Sequence, residues 1–273
     1  MIMRTPYIDA HLHLQDQRFH GSVEAIITRA KKAGVRRLFC NAVTEADWSV
    51  ILELANTNLE IVPFLGLHPW FSDKAKPGWQ DRLIKFIKLT DTLKPFTGGA
   101  GIGETGLDKS CSVDFGVQRD IFLAHLELGV ELNLPVSIHC VRAWGTLVDM
   151  LGDFGAKKKL PLLMIHSFTG SVEIMKRLTK LGCFISYSEA LVNPDQKKLS
   201  ATFKQTPLSL LLLETDAPFK KNPYHQNHDF NEPADVVGVY QFAADLLSLK
   251  QEDFSSQIWD NAAIFTNQDA TRR

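Results

Sequence analysis

The sequence predicts an α/β protein folded as a (β/α)8 (TIM) barrel, and three observations carry the prediction. Eight short apolar runs alternate with amphipathic stretches across 273 residues, the length and rhythm of an eightfold barrel. Residues able to ligate a metal stand at the carboxyl ends of those runs. No low-complexity segment or linker interrupts the pattern, so residues 1–273 read as a single domain. A doubly wound sheet is the competing architecture.

The expected strands are Tyr7–Ala10, Arg37–Asn41, Ile61–Leu65, Ala100–Gly103, Val136–Ile138, Leu162–Ile165, Phe184–Ser186 and Leu210–Leu213. Each is a brief apolar run, the signature of a strand buried on both faces. Helical periodicity falls at Val23–Ala33, Glu45–Ala55, Arg82–Leu89, Phe115–Leu132, Gly145–Leu151, Val172–Leu181 and, after the last strand, Ala234–Leu247. Gly34, Gly129, Gly152 and Gly182 lie at or near the ends of these helices, where a left-handed cap is common.

Composition narrows the function. Hydrophobic residues make up 45% of the chain, ample for a core, and the formal net charge is -1 with a pI near 6.8. That excludes broad electrostatic binding of nucleic acid through a basic surface. It leaves a nucleic-acid substrate open, because divalent cations can hold phosphate locally. Four cysteines are widely spaced without a CxxC pair and read as reduced thiols. The N-terminus lacks signal-peptide organisation, and no apolar stretch reaches the roughly 18 residues that span a membrane, so a cytoplasmic location and no membrane partner are expected.

The chemistry concentrates at strand ends. His11 and His13 are two apart on a strand and project to one face, which in a barrel is the interior. A buried pair of imidazoles is costly unless satisfied. Glu104, His139, His166 and Asp216 each close another apolar run, and all strands of a parallel barrel end at the same rim. Mixed imidazole and carboxylate donors suit Zn, Mn or Mg. Six ligands imply two divalent ions sharing a carboxylate, and such pairs activate water for hydrolysis. Asp216, by position, is the candidate to shuttle the proton. Glu214, two residues earlier, reads as a group that orients a ligand or a lysine.

Other motifs are weaker. Gly101-Ile-Gly103-Glu-Thr-Gly106 satisfies GxGxxG, but Thr97-Gly-Gly-Ala is a poor strand and Asp108-Lys-Ser-Cys-Ser-Val-Asp a poor helix start. The glycines are therefore read as allowing close backbone approach at the rim. His125 within a helix and His20 in a loop read as packing or surface histidines. Lys157-Lys-Lys159 reads as a solvated loop, and His225 and His228 as rim-loop residues nearer to substrate contact than to metal ligation.

Taken together, Ile8-Asp-Ala-His-Leu-His13, Gly66-Leu-His-Pro69, Ile102-Gly-Glu-Thr-Gly-Leu-Asp108, Pro135-Val-Ser-Ile-His139, His166-Ser-Phe-Thr-Gly170, Leu213-Glu-Thr-Asp-Ala-Pro218 and Asn231-Glu-Pro233 carry a resemblance. In this order and spacing, over nearly the whole length, the chain resembles the TatD family of metal-dependent deoxyribonucleases, within the amidohydrolase-type barrels. The resemblance implies that His11, His13 and Asp216 hold one metal, that His139 and His166 hold the other, and that Glu104 bridges them. It implies that His68 binds the scissile phosphate, the plain alternative being a histidine fixed by its Gly-x-His-Pro turn. Asp108 matches a family acid that organises the rim. Two positions depart from the family: Val141 stands where an arginine is common, with Arg142 next, and Lys109 replaces an aromatic. Arg142 and Lys109 are taken as candidate substrate contacts.

These readings converge on a monomeric two-metal deoxyribonuclease acting exonucleolytically on single-stranded or frayed DNA ends. The alternative keeps the site but changes the substrate to a small carbonyl compound, as an esterase, amidase or deacylase. DNA needs an open groove with aromatic or cationic walls, for which Trp70, Phe71, Lys109 and Arg142 are available; a carbonyl substrate needs a small closed pocket. A non-enzymatic metal-binding scaffold is the third reading.

Overall fold

A computed structural model describes residues 6–92, 99–219 and 230–267. Eight strands run in chain order, each parallel to the next: β1 (Tyr7–Leu12), β2 (Val35–Asn41), β3 (Ile61–Leu65), β4 (Gly101–Asp108), β5 (Val136–Val141), β6 (Leu163–Ile165), β7 (Phe184–Tyr187) and β8 (Leu211–Leu213). The barrel closes where the chain beyond β8 meets β1. A parallel bridge joins Leu12 to Ala217, the Asp216 amide donates to the His11 carbonyl at 3.0 Å, and the His13 amide donates to the Ala217 carbonyl at 2.7 Å. This is the expected (β/α)8 barrel.

The helices are α1 (Val23–Ala33), α2 (Asp47–Thr57), α3 (Trp79–Thr90), α4 (Phe115–Glu131), α5 (Trp144–Gly155), α6 (Val172–Lys180), α7 (Lys197–Phe203), α8 (Val236–Leu247) and α9 (Gln251–Phe265). Gly34 takes the left-handed cap of α1 at φ 97°. Helix α2 starts later than expected because the Asp47 carboxylate accepts from the Val43 and Thr44 amides and ends the preceding turn there.

Two helices were not expected. Helix α7 has seven residues, too few for a period to register. Helix α9 buries Phe254, Ile258, Ala262 and Phe265, a regular helical stripe, but it lies beyond the one helix expected after the last strand, outside the strand–helix alternation. It has a defined role. The Phe265 ring stacks on Phe64 (5.9 Å between centroids, 8°) and packs near Phe39 and Phe184, so α9 plugs the barrel.

Strand β4 also departs from expectation. It does not stop at Gly103 but continues through Glu104-Thr-Gly-Leu-Asp108, all buried. Polar residues there are paid for by partners inside the barrel, which hydropathy cannot register. The GxGxxG glycines thus lie within a strand, and no helix follows them directly. A Cβ on Gly66 would come within 2.7 Å of the Gly103 carbonyl carbon, and one on Gly106 would collide with the His139 carbonyl. These glycines let β3, β4 and β5 close up around Glu104 and His139.

Candidate metal centre

Alternation along β1 sends His11 inward, with His13 just beyond the strand end; β4 contributes Glu104, β5 His139, and the segments after β3, β6 and β8 contribute His68, His166 and Asp216. All are buried except His139, which is partly so. Arg142, Ser167 and Asp216, just past the ends of β5, β6 and β8, take left-handed backbone conformations (φ 53°, 44° and 54°). Such geometry in non-glycine residues is disfavoured and clusters at functional sites.

Five imidazoles converge on one carboxylate. Glu104 Oε2 lies 3.3 Å from His11 Nε2 and 3.4 Å from His13 Nε2; Oε1 lies 3.3 Å from His68 Nε2, 2.9 Å from His139 Nδ1 and 2.9 Å from His166 Nε2. Asp216 Oδ1 stands 3.7 Å from His13 Nε2. The His11 and His166 rings stack at 3.9 Å. Ligand-type atoms fall within 4.8 Å of one another in three sets: His11, His166 and Asp216; His11, His13 and Glu104; and His68, Glu104 and His139. His166 thus groups with both His11 and His139, whose Nδ1 is 3.2 Å away.

The far nitrogen of each ring reports its tautomer. His13 Nδ1 faces the Asn41 carbonyl at 2.8 Å and must donate, leaving a lone pair on the inward Nε2. His166 Nδ1 faces Glu214 Oε1 at 3.3 Å, and His139 Nε2 faces Asp108 Oδ2 at 3.2 Å. Donation to these carboxylates leaves their inward nitrogens as lone-pair donors too. His11 Nδ1 meets the Ser137 hydroxyl at 3.1 Å, which serves either tautomer. His68 is the reverse. Its Nδ1 accepts the Trp70 amide proton at 3.1 Å, so neutral His68 carries its own proton on the inward Nε2. Four rings can offer a lone pair to a cation, while the fifth offers an N–H.

The electrostatics show how strongly the Glu104 carboxylate draws positive charge into this cluster. Burial would raise the Glu104 pKa, but the surrounding imidazoles hold it well below the usual carboxylate range. Burial lowers His68 to about 4 and keeps it neutral. Burial also opposes charge on His166, yet Glu104 and Glu214 outweigh it and raise that ring to about 10, so in the protein alone its inward Nε2 carries a proton that a cation would have to displace. His11 Nε2 and His13 Nε2 face each other at 3.2 Å with room for only one proton between them. Buried lone pairs crowded around an anion fit divalent cations, and the donor set of imidazole and carboxylate matches Zn, Mn or Mg.

Comparison with known proteins bears on this arrangement. The sequence profile described as "TatD related DNase" matches residues 8–267. The chain belongs to the TatD family. It is 28% identical over 255 residues to the uncharacterized metal-dependent hydrolase YabD of Bacillus subtilis, covering 93% of this chain and 96% of that one. It is 27% identical over 266 residues to human deoxyribonuclease TATDN3, covering 93% and 92%. The crystal structure of YJJV, a TatD homologue from Escherichia coli, superposes with a TM-score of 0.84 at 26% identity, over 98% of this chain and 100% of that one. The family is one of metal-dependent hydrolases in which some members are named deoxyribonucleases.

Within this TatD-family barrel, Glu214 orients a histidine: its Oε1 also accepts the Ser167 amide at 2.7 Å. Asp108 accepts from Trp70 Nε1 at 2.6 Å and from the Ser110 amide and hydroxyl, and so anchors both the rim and His139. His125 is a packing residue, stacked on Trp79. Lys109 is exposed with its ammonium 5.0 Å above the Phe115 ring, and Arg142 is exposed just past β5; neither is drawn into the histidine cluster. His225 and His228 lie outside the described residues.

Several contributors were not expected. Asp9 holds the Thr215 amide and hydroxyl at 2.9 and 2.5 Å, fixing the segment that carries Asp216. Asn41 and Ser137 fix His13 and His11. Arg18, gripped by both Asp16 oxygens at 2.8 and 2.9 Å, lies 4.1 Å over Phe219, which packs edge-on against His13; Asp16 and, at longer range, Asp216 favour its charge. The only sequence signal was an Asp-x-Arg step directly after the His-x-His strand. Among the described residues, no helix is long and apolar enough to cross a membrane.

Proposed function

We propose that this TatD-family protein hydrolyses DNA phosphodiester bonds, working exonucleolytically at single-stranded or frayed ends, with two divalent cations held by His11, His13, Glu104, His139, His166 and Asp216. In this reading Glu104 is the shared carboxylate. The observation that carries it is the split among the histidines: lone pairs available from His11, His13, His139 and His166, an N–H from His68. Bound divalent cations would supply Lewis acidity, making water easier to deprotonate and neutralising charge on the phosphate.

The chain's own residues do the rest. Asp216 stands beside the imidazole cluster and accepts the proton of the attacking water. His68, neutral and protonated on its inward nitrogen, donates to a non-bridging phosphate oxygen whose charge grows as the P–O bond to the leaving group breaks. Glu214 and Asp108 keep His166 and His139 in the required tautomers. Arg18, Lys109 and Arg142 supply cationic rim groups for the flanking phosphates. An uncharged carbonyl substrate would give the exposed Lys109 and Arg142 no anion to neutralise, which favours the phosphodiester over the ester or amide reading.

The test is cleavage of a 5′-labelled single-stranded DNA oligonucleotide by chelator-stripped protein with Mg, Mn or Zn restored, beside a panel of carboxylic esters and amides. A metal-restored ladder that shortens progressively from one end is expected. Turnover confined to the esters or amides would overturn the assignment.

A further inference from the structure

We infer that Trp70 is a stacking platform for the nucleobase next to the scissile phosphate, which makes it a specificity-determining residue of the proposed nuclease. The inference rests on the phosphodiesterase reading and adds a base-recognition element to it. Trp70 follows β3 in the tight turn Pro69–Lys74 and is 47% exposed. Among the described residues it is the one aromatic among the exposed large hydrophobic side chains; the others are Val50, Leu59, Leu89, Val117, Val130, Leu249 and Ile264. An indole left in water at the mouth of a polar centre forgoes the burial that an aromatic side chain normally gains.

The indole is also held in place. Its Nε1 donates to Asp108 Oδ2 at 2.6 Å, so the polar edge is satisfied within the protein and the apolar ring is what solvent meets. It stands edge-on to His68, 5.0 Å between centroids and 82° between planes. His68 in turn directs Nε2 at Glu104, so the exposed ring is one side chain removed from the proposed phosphate site. Lysines stand close by in the chain: Lys74 belongs to the Trp70 turn, its ammonium 5.1 Å above Phe71, and Lys109 directly follows the Asp108 that holds the indole. A fixed aromatic face beside a phosphate donor, with lysines in the adjoining segments, is how single-stranded nucleic acid is gripped without reading sequence. Because Asp108 fixes the ring beforehand, little side-chain entropy is lost when a base arrives.

The experiment compares kcat and KM of wild type, Trp70→Ala and Trp70→Phe on a single-stranded oligonucleotide and on the same oligonucleotide carrying an abasic residue at the terminal cleavage position. In Trp70→Ala the base-bearing substrate should lose roughly 5- to 150-fold more in kcat/KM than the abasic one, mainly through KM. Trp70→Phe keeps a ring and should restore most of that difference. Loss of the Asp108 hydrogen bond falls on both substrates alike, so it cancels in the comparison. Quenching of tryptophan fluorescence by the base-bearing oligonucleotide should vanish in Trp70→Phe. Equal losses on both substrates, or no loss on either, would overturn the platform and leave Trp70 as a support for Asp108. Failure of wild type to cleave either oligonucleotide would overturn the phosphodiesterase reading, and the platform with it.

Discussion

The Trp70 amide donates to His68 Nδ1 at 3.1 Å, so the ring turns a protonated Nε2 toward Glu104, 3.3 Å away. One backbone hydrogen bond thereby separates a histidine that can stabilise an oxyanion from neighbours that can bind a cation. Among the natural residues only proline at position 70 would lack that amide proton, so the tautomer is built into the turn.

His68→Ala should therefore lower kcat by roughly 10²- to 10³-fold, the usual cost of removing one preorganised donor to a developing oxyanion. Metal content should stay at the wild-type level. His166→Ala should instead lose bound metal. Elemental analysis of the equilibrated variants alongside their rates separates the two outcomes; metal loss in His68→Ala would make it a ligand.

Glu214→Gln keeps the shape of the side chain but weakens its hold on His166 Nδ1 and the Ser167 amide. Metal affinity should fall by about 10- to 100-fold, as with other groups that orient a metal-binding histidine. A competition titration with a chromophoric chelator measures it. Wild-type affinity would mean that Glu214 serves packing alone.

Much of this was legible in the sequence, and the exceptions have physical causes. The convergence of the strand-end histidines and carboxylates could be placed because a parallel barrel turns a one-dimensional pattern into a common rim. Strand β4 was cut short because Glu104, Thr105 and Asp108 are polar by composition and buried by virtue of partners on β1, β5 and α4, including His11, His139 and Gln118. Arg18 and Asp9 were missed because their partners, Phe219 and Thr215, are about 200 residues away. The His68 tautomer was beyond reach, since no residue type encodes which ring nitrogen meets a backbone amide.

His125 gives a pH dependence away from the centre. Its Nδ1 donates to the Ile121 carbonyl at 2.7 Å and its Nε2 accepts the Leu67 amide at 3.2 Å, so it folds in the neutral form; burial lowers it from 6.5 to about 4. The unfolded chain then binds the extra proton first. Stability is retained above about pH 6.5, declines as pH falls toward 4, and is lower by about 3 kcal/mol at the bottom of that window. Urea unfolding of wild type and His125→Asn across pH 4 to 7 should show a shallower decline in the variant. Parallel declines would remove His125 as a cause.

Phe265 carries the plug. Phe265→Ala should cost about 3–5 kcal/mol by urea unfolding, the range for emptying an aromatic from a packed core. At pH 7 the folded variant should keep the wild-type metal content, because the plug and the histidine cluster contact different parts of the barrel. Lost metal would show that the two are coupled.

The most direct test of the shared carboxylate is the count of divalent cations bound per chain, by calorimetric titration of chelator-stripped wild type and Glu104→Ala with Mn or Zn. Two cations per wild-type chain and one or none in the variant, together with lost DNA cleavage, is the expected result. Two cations and full cleavage in Glu104→Ala would contradict a centre organised around that carboxylate.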